Sequence, residues 1–559
     1  MDDGLPIHPI HIDTIIPPPE LNAPFPLAPK YVIMSAYETE ATAMEAPLAP
    51  IILRRRIEPS EKRTYFGLTF SVPEKIERID LSYHYDRYRE STVGAGADAS
   101  AERLCRDACG GTADRPASAH IRRQINLIDL ALSGPNGRFI GASGSDRDHI
   151  FVSGTQSAAG YASGPIEPGE WTIHVGAIEI APEGCEVTYT VRLTPKRRRL
   201  WRGDMHVHTS ASDGFLPTAE TAALAKAAGL DFLAITDHNN YAQNDFPAVP
   251  GITLLPGSEW THLYGHANLL GVKKPLERAY CVDSPEDALE LLGEARARGA
   301  FLSINHPFWD WKLGYDLPFD GIEVWNGPMV ENNQKCVEWW HELLCARAIA
   351  AGPADDWRLP ALGGSDFHRP ELERVLGSPC TGLYADSAEP DDLLDAVRGG
   401  RSYIAFAPNG PGVDIAAAQP AQADGPGSTA DAIDSDGLAG SDGLADPDGS
   451  AGLDSAAHAP VSAMRRDGGV CCRALCGIGD FAPMGAETHF AFTGLRGGDR
   501  IRLITNCGEE TILCPPGADR LDLIRRFDNA RFCRTEVLRV YGSRPDERLA
   551  MVSNPIYYR

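Results

Sequence analysis

No run of about 18 or more apolar residues occurs in the 559-residue chain, so no transmembrane helix is expected. Its opening, MDDGLPIHPIHIDTIIPPP, lacks both the basic stretch and the apolar stretch of a secretory signal, and a cytoplasmic protein is expected. Cations are scarce: 52 Lys and Arg face 77 Asp and Glu, for a net charge of −25. Binding along a nucleic-acid backbone needs clustered cations, so no extended nucleic-acid footprint is expected. The 13 cysteines lack the spacing of a structural zinc site. Cys105 and Cys109, and the cluster Cys471, Cys472 and Cys476, have no matching second half, and reduced thiols are the expectation. The 43% hydrophobic content is enough for a large core, and the length implies three or four domains.

Texture changes along the chain. Residues 1–48 are rich in Pro and Ala and read as an extended lead, with His8 and His11 in solvent. Residues 49–198 carry short alternating runs (65–72, 76–83, 125–133, 139–142, 171–175 and 187–193) separated by turn signals such as Pro135-Asn136-Gly137. This predicts an antiparallel β-sandwich with a Gly/Ala/Asp-rich insertion at about 89–119. From 199 to 409 short apolar strands alternate with helical segments, predicted over 217–228, from Ser284-Pro285, over 333–350 and over 390–398. Residues 410–466 hold nine aspartates from Asp414 to Asp454 and no Lys or Arg in that span, and read as a disordered, self-repelling insertion. Strands return over 467–559 as a small β domain, with an opening strand at 413–416. Two basic runs interrupt the acidic balance. The run Lys196 to Arg199, just before the first ligand-bearing strand, reads as a solvated linker face or a lure for an anionic substrate. The other is Arg54 to Arg56.

The chemistry is concentrated at strand ends. WRGDMHVHTSASDG places His206, His208 and Asp213 together. On an extended strand the two histidines point the same way. Further ligand-type residues follow apolar runs: Asp237 and His238 in TDHN, Glu259 in GSE, His266 in GHAN, His306 in NHP, and Asp366 and His368 in SDFH. Imidazole and carboxylate suit Zn, Mn and Fe alike. Asp237 reads either as a ligand or as a residue that orients one. His262, His341 and His489 read as hydrogen-bonded core residues. Trp260, Trp309 and Trp311 flank the motifs and offer apolar walls for a planar group, and Trp325 reads as core.

In this order the motifs HxHxxxSDG, TDHN, GSE…GH, NHP and SDFH resemble those of the PHP (polymerase and histidinol phosphatase) metallohydrolases. GHxNLLG, GIEVWNG and the closing SNPIYY resemble the CehA/McbA-type branch. The resemblance implies an α/β fold, a distorted (β/α)7 barrel, flanked here by the sandwich and the small β domain. It also implies two or three divalent metal ions. His206, His208, Glu259 and Asp366 would hold one, Glu259 would bridge to a second completed by His266 and His306, and Asp213, His238 and His368 would hold a third.

The implied activity is a metal-dependent phosphoesterase acting on a small anionic ester, such as a nucleotide or short oligonucleotide, with a hydroxide shared between ions as nucleophile. Arg369 is the expected phosphate fork, and Asp237 or His262 the proton shuttle. The alternatives are a carboxylic or carbamic ester hydrolase of the carbaryl-hydrolase type and a non-catalytic, metal-stabilised binding protein.

Overall fold

The computed structural model describes residues 48–94, 118–145, 147–274, 276, 278, 282–314, 319–370, 374–418, 475–542 and 546–559. The N-terminal lead, the centre of the 89–119 insertion and nearly all of the acidic stretch lie outside the described residues. So do His8, His11, Cys105, Cys109, Cys471 and Cys472. The molecule is mixed α/β, with many strands and few helices. Among the described residues no helix is long and apolar enough to cross a membrane.

Alternation builds the N-terminal region. In Cys185–Pro195 the side chains of Val187, Tyr189 and Val191 are buried and those of Glu186 and Arg192 are exposed. One antiparallel sheet runs in the order Ile51–Ile57, Cys185–Pro195, Ile76–His84, His149–Ser153. The other runs Thr64–Val72, Gly169–Glu179, Leu127–Ser133, Phe139–Ser143. Their apolar faces share one core that includes Trp171, Ile173, Val175, Leu81 and Tyr189. The expected insertion begins and ends as a ribbon, Tyr88–Gly94 paired with Ser118–Gln124.

The strands that follow are buried on both faces, as parallel strands covered by helices are. Phe232–Ile235, Phe301–Ile304, Gly321–Asn326 and Ala361–Gly364 expose no residue. Arg199–Val207 pairs in parallel with Phe232–Ile235, which pairs in parallel with Thr253–Leu255. A second sheet runs Glu259–His262, Gly265–Leu270, Phe301–Ile304, Gly321–Asn326, Ala361–Gly364. Single parallel bridges join the two sheets at both ends, His238 to Glu259 and Val207 to Phe367.

The pairing departs from a uniform βα repeat. Gly265–Leu270 is antiparallel to both its neighbours, because a two-residue turn at Leu263-Tyr264 folds it straight back on Glu259–His262. Four α-helices lie among the described residues: Thr218–Ala227, Pro285–Ala297, Glu331–Ala350 and Pro390–Arg398. Ser284 caps the second, accepting from the Asp287 amide at 3.1 Å.

The C-terminal strands do not form a separate layer. Ser402–Ala405 pairs with Glu547–Ser553, so the first sheet runs on into the C-terminal region. An edge strand left open would expose unpaired backbone groups, and these strands cover it. Gly412–Ala418, just before the acidic stretch, pairs with Glu487–Thr493 as part of this region. Asn554 of the SNPIYY segment clamps the start of the Ala361 strand, receiving the Ala361 amide at 2.8 Å and donating to its carbonyl at 2.9 Å.

The basic run Lys196–Arg199 is neither a solvated linker nor a lure. Lys196 pairs with Glu389 and Asp392 at 2.8 and 2.9 Å, and Arg199 pairs with Glu77 at 2.7 Å, tying the sandwich to the next region.

Candidate metal centre

Backbone pairing brings the motifs together. The Asp366 amide donates to the His206 carbonyl at 2.8 Å, and the His208 amide to the Phe367 carbonyl at 2.9 Å. HVH and SDFH therefore lie side by side. The Glu259 amide donates to Thr236 and the Asn239 amide to Glu259, which sets TDHN beside GSE. The Asn305 amide donates to the His266 carbonyl, which sets NHP beside GH. Gly364 makes the first approach possible, because a Cβ there would stand 2.3 Å from that of His206.

All nine motif residues converge. Their ligand atoms form three groups, each with every atom within 4.8 Å of the others: His206, His208 and Asp366; Glu259, His266 and His306; and His208, Asp213, His238 and His368. Glu259 lies at the centre and its two oxygens face different partners. Oε1 is 3.3 Å from His206, 3.3 Å from His266 and 3.5 Å from His306, while Oε2 is 2.9 Å from His238 and 3.5 Å from His208. Asp366 Oδ1 lies 3.4 and 3.1 Å from the Nε2 atoms of His206 and His208. His208 also belongs to the third group, which the sequence did not anticipate.

These separations fit a cation. Bonds of about 2.0 Å in tetrahedral array put ligand atoms about 3.3 Å apart. The two Nε2 atoms of His206 and His208 stand 3.1 Å apart. The Nδ1 of His206 lies 2.8 Å from Glu323 Oε1 and donates to that carboxylate, which orients the ring so that Nε2 faces the centre. Ligand-type atoms are therefore aimed at shared points.

Electrostatics agree. Burial works to raise the Glu259 carboxyl, but the imidazoles of His206, His238 and His266 outweigh it and hold the group well below its usual range. Burial opposes a charge on His206, yet Glu323, Glu259 and Asp366 push its pKa well above normal. Asp366 is likewise held down against its burial, by His206 and His208. The carboxylates are thus held charged by positive charge beside them, which the imidazoles supply here and a bound cation could supply in their place.

Backbone strain gathers here too. Among the described residues six non-glycine residues have positive φ, and three of them are Asn239, His306 and Asp366, at 47°, 30° and 51°. Such conformations persist where the surroundings hold them and are frequent at active sites.

Several residues have places the sequence did not anticipate. Asp237 is fully buried outside the three groups. It accepts from the Thr209 amide and hydroxyl and from the Ser212 hydroxyl, each at 2.7 Å, and so fixes the loop that carries Asp213 rather than a ligand histidine. His262 stacks on Trp260 with ring centres 5.7 Å apart and belongs to no ligand group, and its buried Nδ1 has no hydrogen-bond partner. The Nε2 of His489 has none either, whereas His341 accepts from Arg534 Nε at 3.4 Å. Arg369 is exposed, and Arg374, five residues on, donates to Asp366 Oδ2 at 2.9 Å. Trp325 is core. Trp311 packs over Gly265, and Trp309 is 41% exposed with its ring edge-on to His306.

Three supporting residues escaped the sequence. Glu323 accepts from His206, from the His306 amide and from Asn326. Asn305 donates to Glu259 Oε1 at 2.8 Å. Asp204 ties the His206 strand to Ser365 and Gly377, and burial raises its carboxyl to about 6. The available signal was a lone acid inside an apolar strand (GIEVW, GDMHV), where only a partner justifies burial.

A pocket of about 810 Å³ opens beside the third group, with Asp213, His238, Asn240, Asp245, Lys273 and Lys274 in its wall.

No family model and no curated protein matches the chain. Among solved structures, a two-domain protein from Bacteroides vulgatus containing a predicted PHP-like metal-dependent phosphoesterase is 16% identical over 64% of this chain and 95% of its own, with a TM-score of 0.30. An amidohydrolase from Chromobacterium violaceum, with bound sulfate and no metal, is 19% identical over 31% and 89%, with a TM-score of 0.22. A protein from Bifidobacterium adolescentis assigned as a metal-dependent phosphoesterase is 16% identical over 34% and 95%, with a TM-score of 0.24. Likenesses this slight decide nothing about the chain, whose reading rests on the side chains described above.

Proposed function

We propose that this protein is a metal-dependent phosphoesterase of the PHP type. The observation that carries the reading is Glu259, a fully buried carboxylate whose two oxygens face five imidazoles drawn from three neighbouring ligand groups. On this reading the ring of strands is a distorted PHP barrel of the CehA/McbA type, with seven strand positions when Thr253–Leu255 and Glu259–His262 count as one.

His206, His208 and Asp366 would hold one divalent ion, Glu259, His266 and His306 a second, and Asp213, His238 and His368 a third with His208 beside them. Ions there would acidify a water and polarise the phosphoryl oxygens. The chain's own work is orientation. Glu323 fixes the tautomer of His206. Arg374 occupies Asp366 Oδ2 and leaves Oδ1 to face the histidines. Asn305 and Thr261 steer the oxygens of Glu259.

A carboxylic or carbamic ester is the second reading, and Trp309 favours it, since an exposed indole against His306 suits an aryl group. Metal-loaded protein assayed on p-nitrophenyl phosphate, p-nitrophenyl acetate and an aryl carbamate separates the two. Phosphate-ester turnover at least about tenfold above the others in kcat/KM is expected. Faster carbamate turnover would reverse the order, and protein that retains less than one ion per chain would remove both readings.

A further inference from the structure

Lys273 and Lys274 have no role in holding the ligand groups. They are adjacent and exposed, and they are two of the chain's nine lysines. Among the described residues neither makes an ion pair or a hydrogen bond, although the surrounding molecule is strongly acidic. They lie just after the Gly265–Leu270 strand and share the pocket wall with Asp213, His238 and Asp245. The pocket, at about 810 Å³, is several times larger than a phosphoryl group needs, and of the nine clustered side chains only Asp213 and His238 line it. Cations so placed meet the part of a substrate that is not being cleaved.

Resting on the phosphoesterase reading, we infer that Lys273 and Lys274 form a second anion subsite that selects phosphate esters whose leaving group carries an acidic group of its own. Two ammonium groups on flexible stems suit a carboxylate or a second phosphate without demanding a fixed geometry. Asp245, in the wall of the same pocket, disfavours a more anionic occupant and so sharpens the requirement that both lysines be present.

The test compares glycerol 3-phosphate with 3-phosphoglycerate, which share a carbon chain and differ by one carboxylate. Calorimetric titration of the metal-loaded protein is paired with hydrolysis rates. Wild type should bind 3-phosphoglycerate about five- to tenfold more tightly, with the preference shrinking as salt is raised. In the Lys273→Ala/Lys274→Ala variant 3-phosphoglycerate should lose affinity about five- to tenfold, down to that of glycerol 3-phosphate, so that the preference vanishes. Lys273→Glu/Lys274→Glu should invert the preference. Equal binding of the two esters by wild type, a preference that survives the alanine variant, or an equal loss for both esters would each overturn the subsite. The last outcome would assign the lysines to the scissile phosphate. If neither ester binds or is cleaved while metal is retained, the phosphoesterase reading itself falls and takes the subsite with it.

Discussion

Charge is buried in two places in this molecule, and the two are built differently. In the C-terminal region Arg539 and Asp499 are almost fully buried and bonded at both ends of the fork, at 2.9 and 2.6 Å, with the Gly494 carbonyl and the Arg496 amide taking the remaining positions. Nearby, Glu536 accepts from Arg534 at 2.6 Å and from Arg502 at 2.7 Å, and Arg502 also pairs with Glu509. Each charge there is answered from within the chain. At the strand ends, acids and titratable imidazoles face one another around Glu259 with no Lys and one Arg, Arg374, in direct contact among the described residues. The first arrangement is complete and the second calls for cations from outside. Burial of charge by itself therefore does not mark a functional site; an imbalance of donors and acceptors does.

Substitutions at the two places should separate accordingly. The largest effect belongs to Glu259→Gln. Hydrolysis should fall by at least about 10³-fold with loss of bound metal, while circular dichroism shows the fold intact. Retained metal with retained activity would end the comparison. Arg539→Met should do the reverse. Asp499 is left charged and buried, so unfolding in urea should report a loss of about 3–5 kcal/mol, with metal content per folded chain unchanged. Glu323→Gln sharpens the boundary between holding and orienting. Metal affinity, measured against a competing chelator, should weaken by about 10–100-fold with little change in thermal stability of the metal-free protein.

The smallest effect concerns His341, which lies on the Glu331–Ala350 helix against Phe532 and Arg534 of the C-terminal region. Burial and then Arg534 hold its pKa down to about 4. Above the ordinary histidine value both folded and unfolded states are neutral and nothing is lost. As pH falls below about 6.5 the unfolded chain takes up a proton that the folded chain refuses, so stability declines until about pH 4. Partial exposure keeps the loss on the order of 1 kcal/mol. His341→Gln should flatten the fall in urea midpoint between pH 7 and pH 5, and an unchanged slope would place the titration elsewhere.

The sandwich strands were legible because period-two alternation is written locally: Val187, Tyr189 and Val191 declare their face without knowing their partners. The helix from Pro285 was legible from its cap, and the nine ligand-type residues from a repeated pattern of apolar run followed by ligand. Positions defined by a partner far along the chain were not legible. Arg369 was adjacent to His368 in sequence, but chain direction after the strand turned Arg374 onto Asp366. Glu323 has no spacing signature, since its partners lie elsewhere in the chain, His206 on another strand and His306 in the loop after a third. The seam between Ser402–Ala405 and Glu547–Ser553 crosses the acidic stretch, so composition suggested a boundary where hydrogen bonding made one sheet.

Which residues are able to bind a cation, and that they sit at strand ends, followed from side-chain chemistry and local periodicity, which need only a few neighbouring residues. How they are shared among three groups, with Glu259 between them and His208 in two, was decided by strand pairing and by the close approach at Gly364. Those are distances between segments remote in the chain, and only the folded backbone sets them.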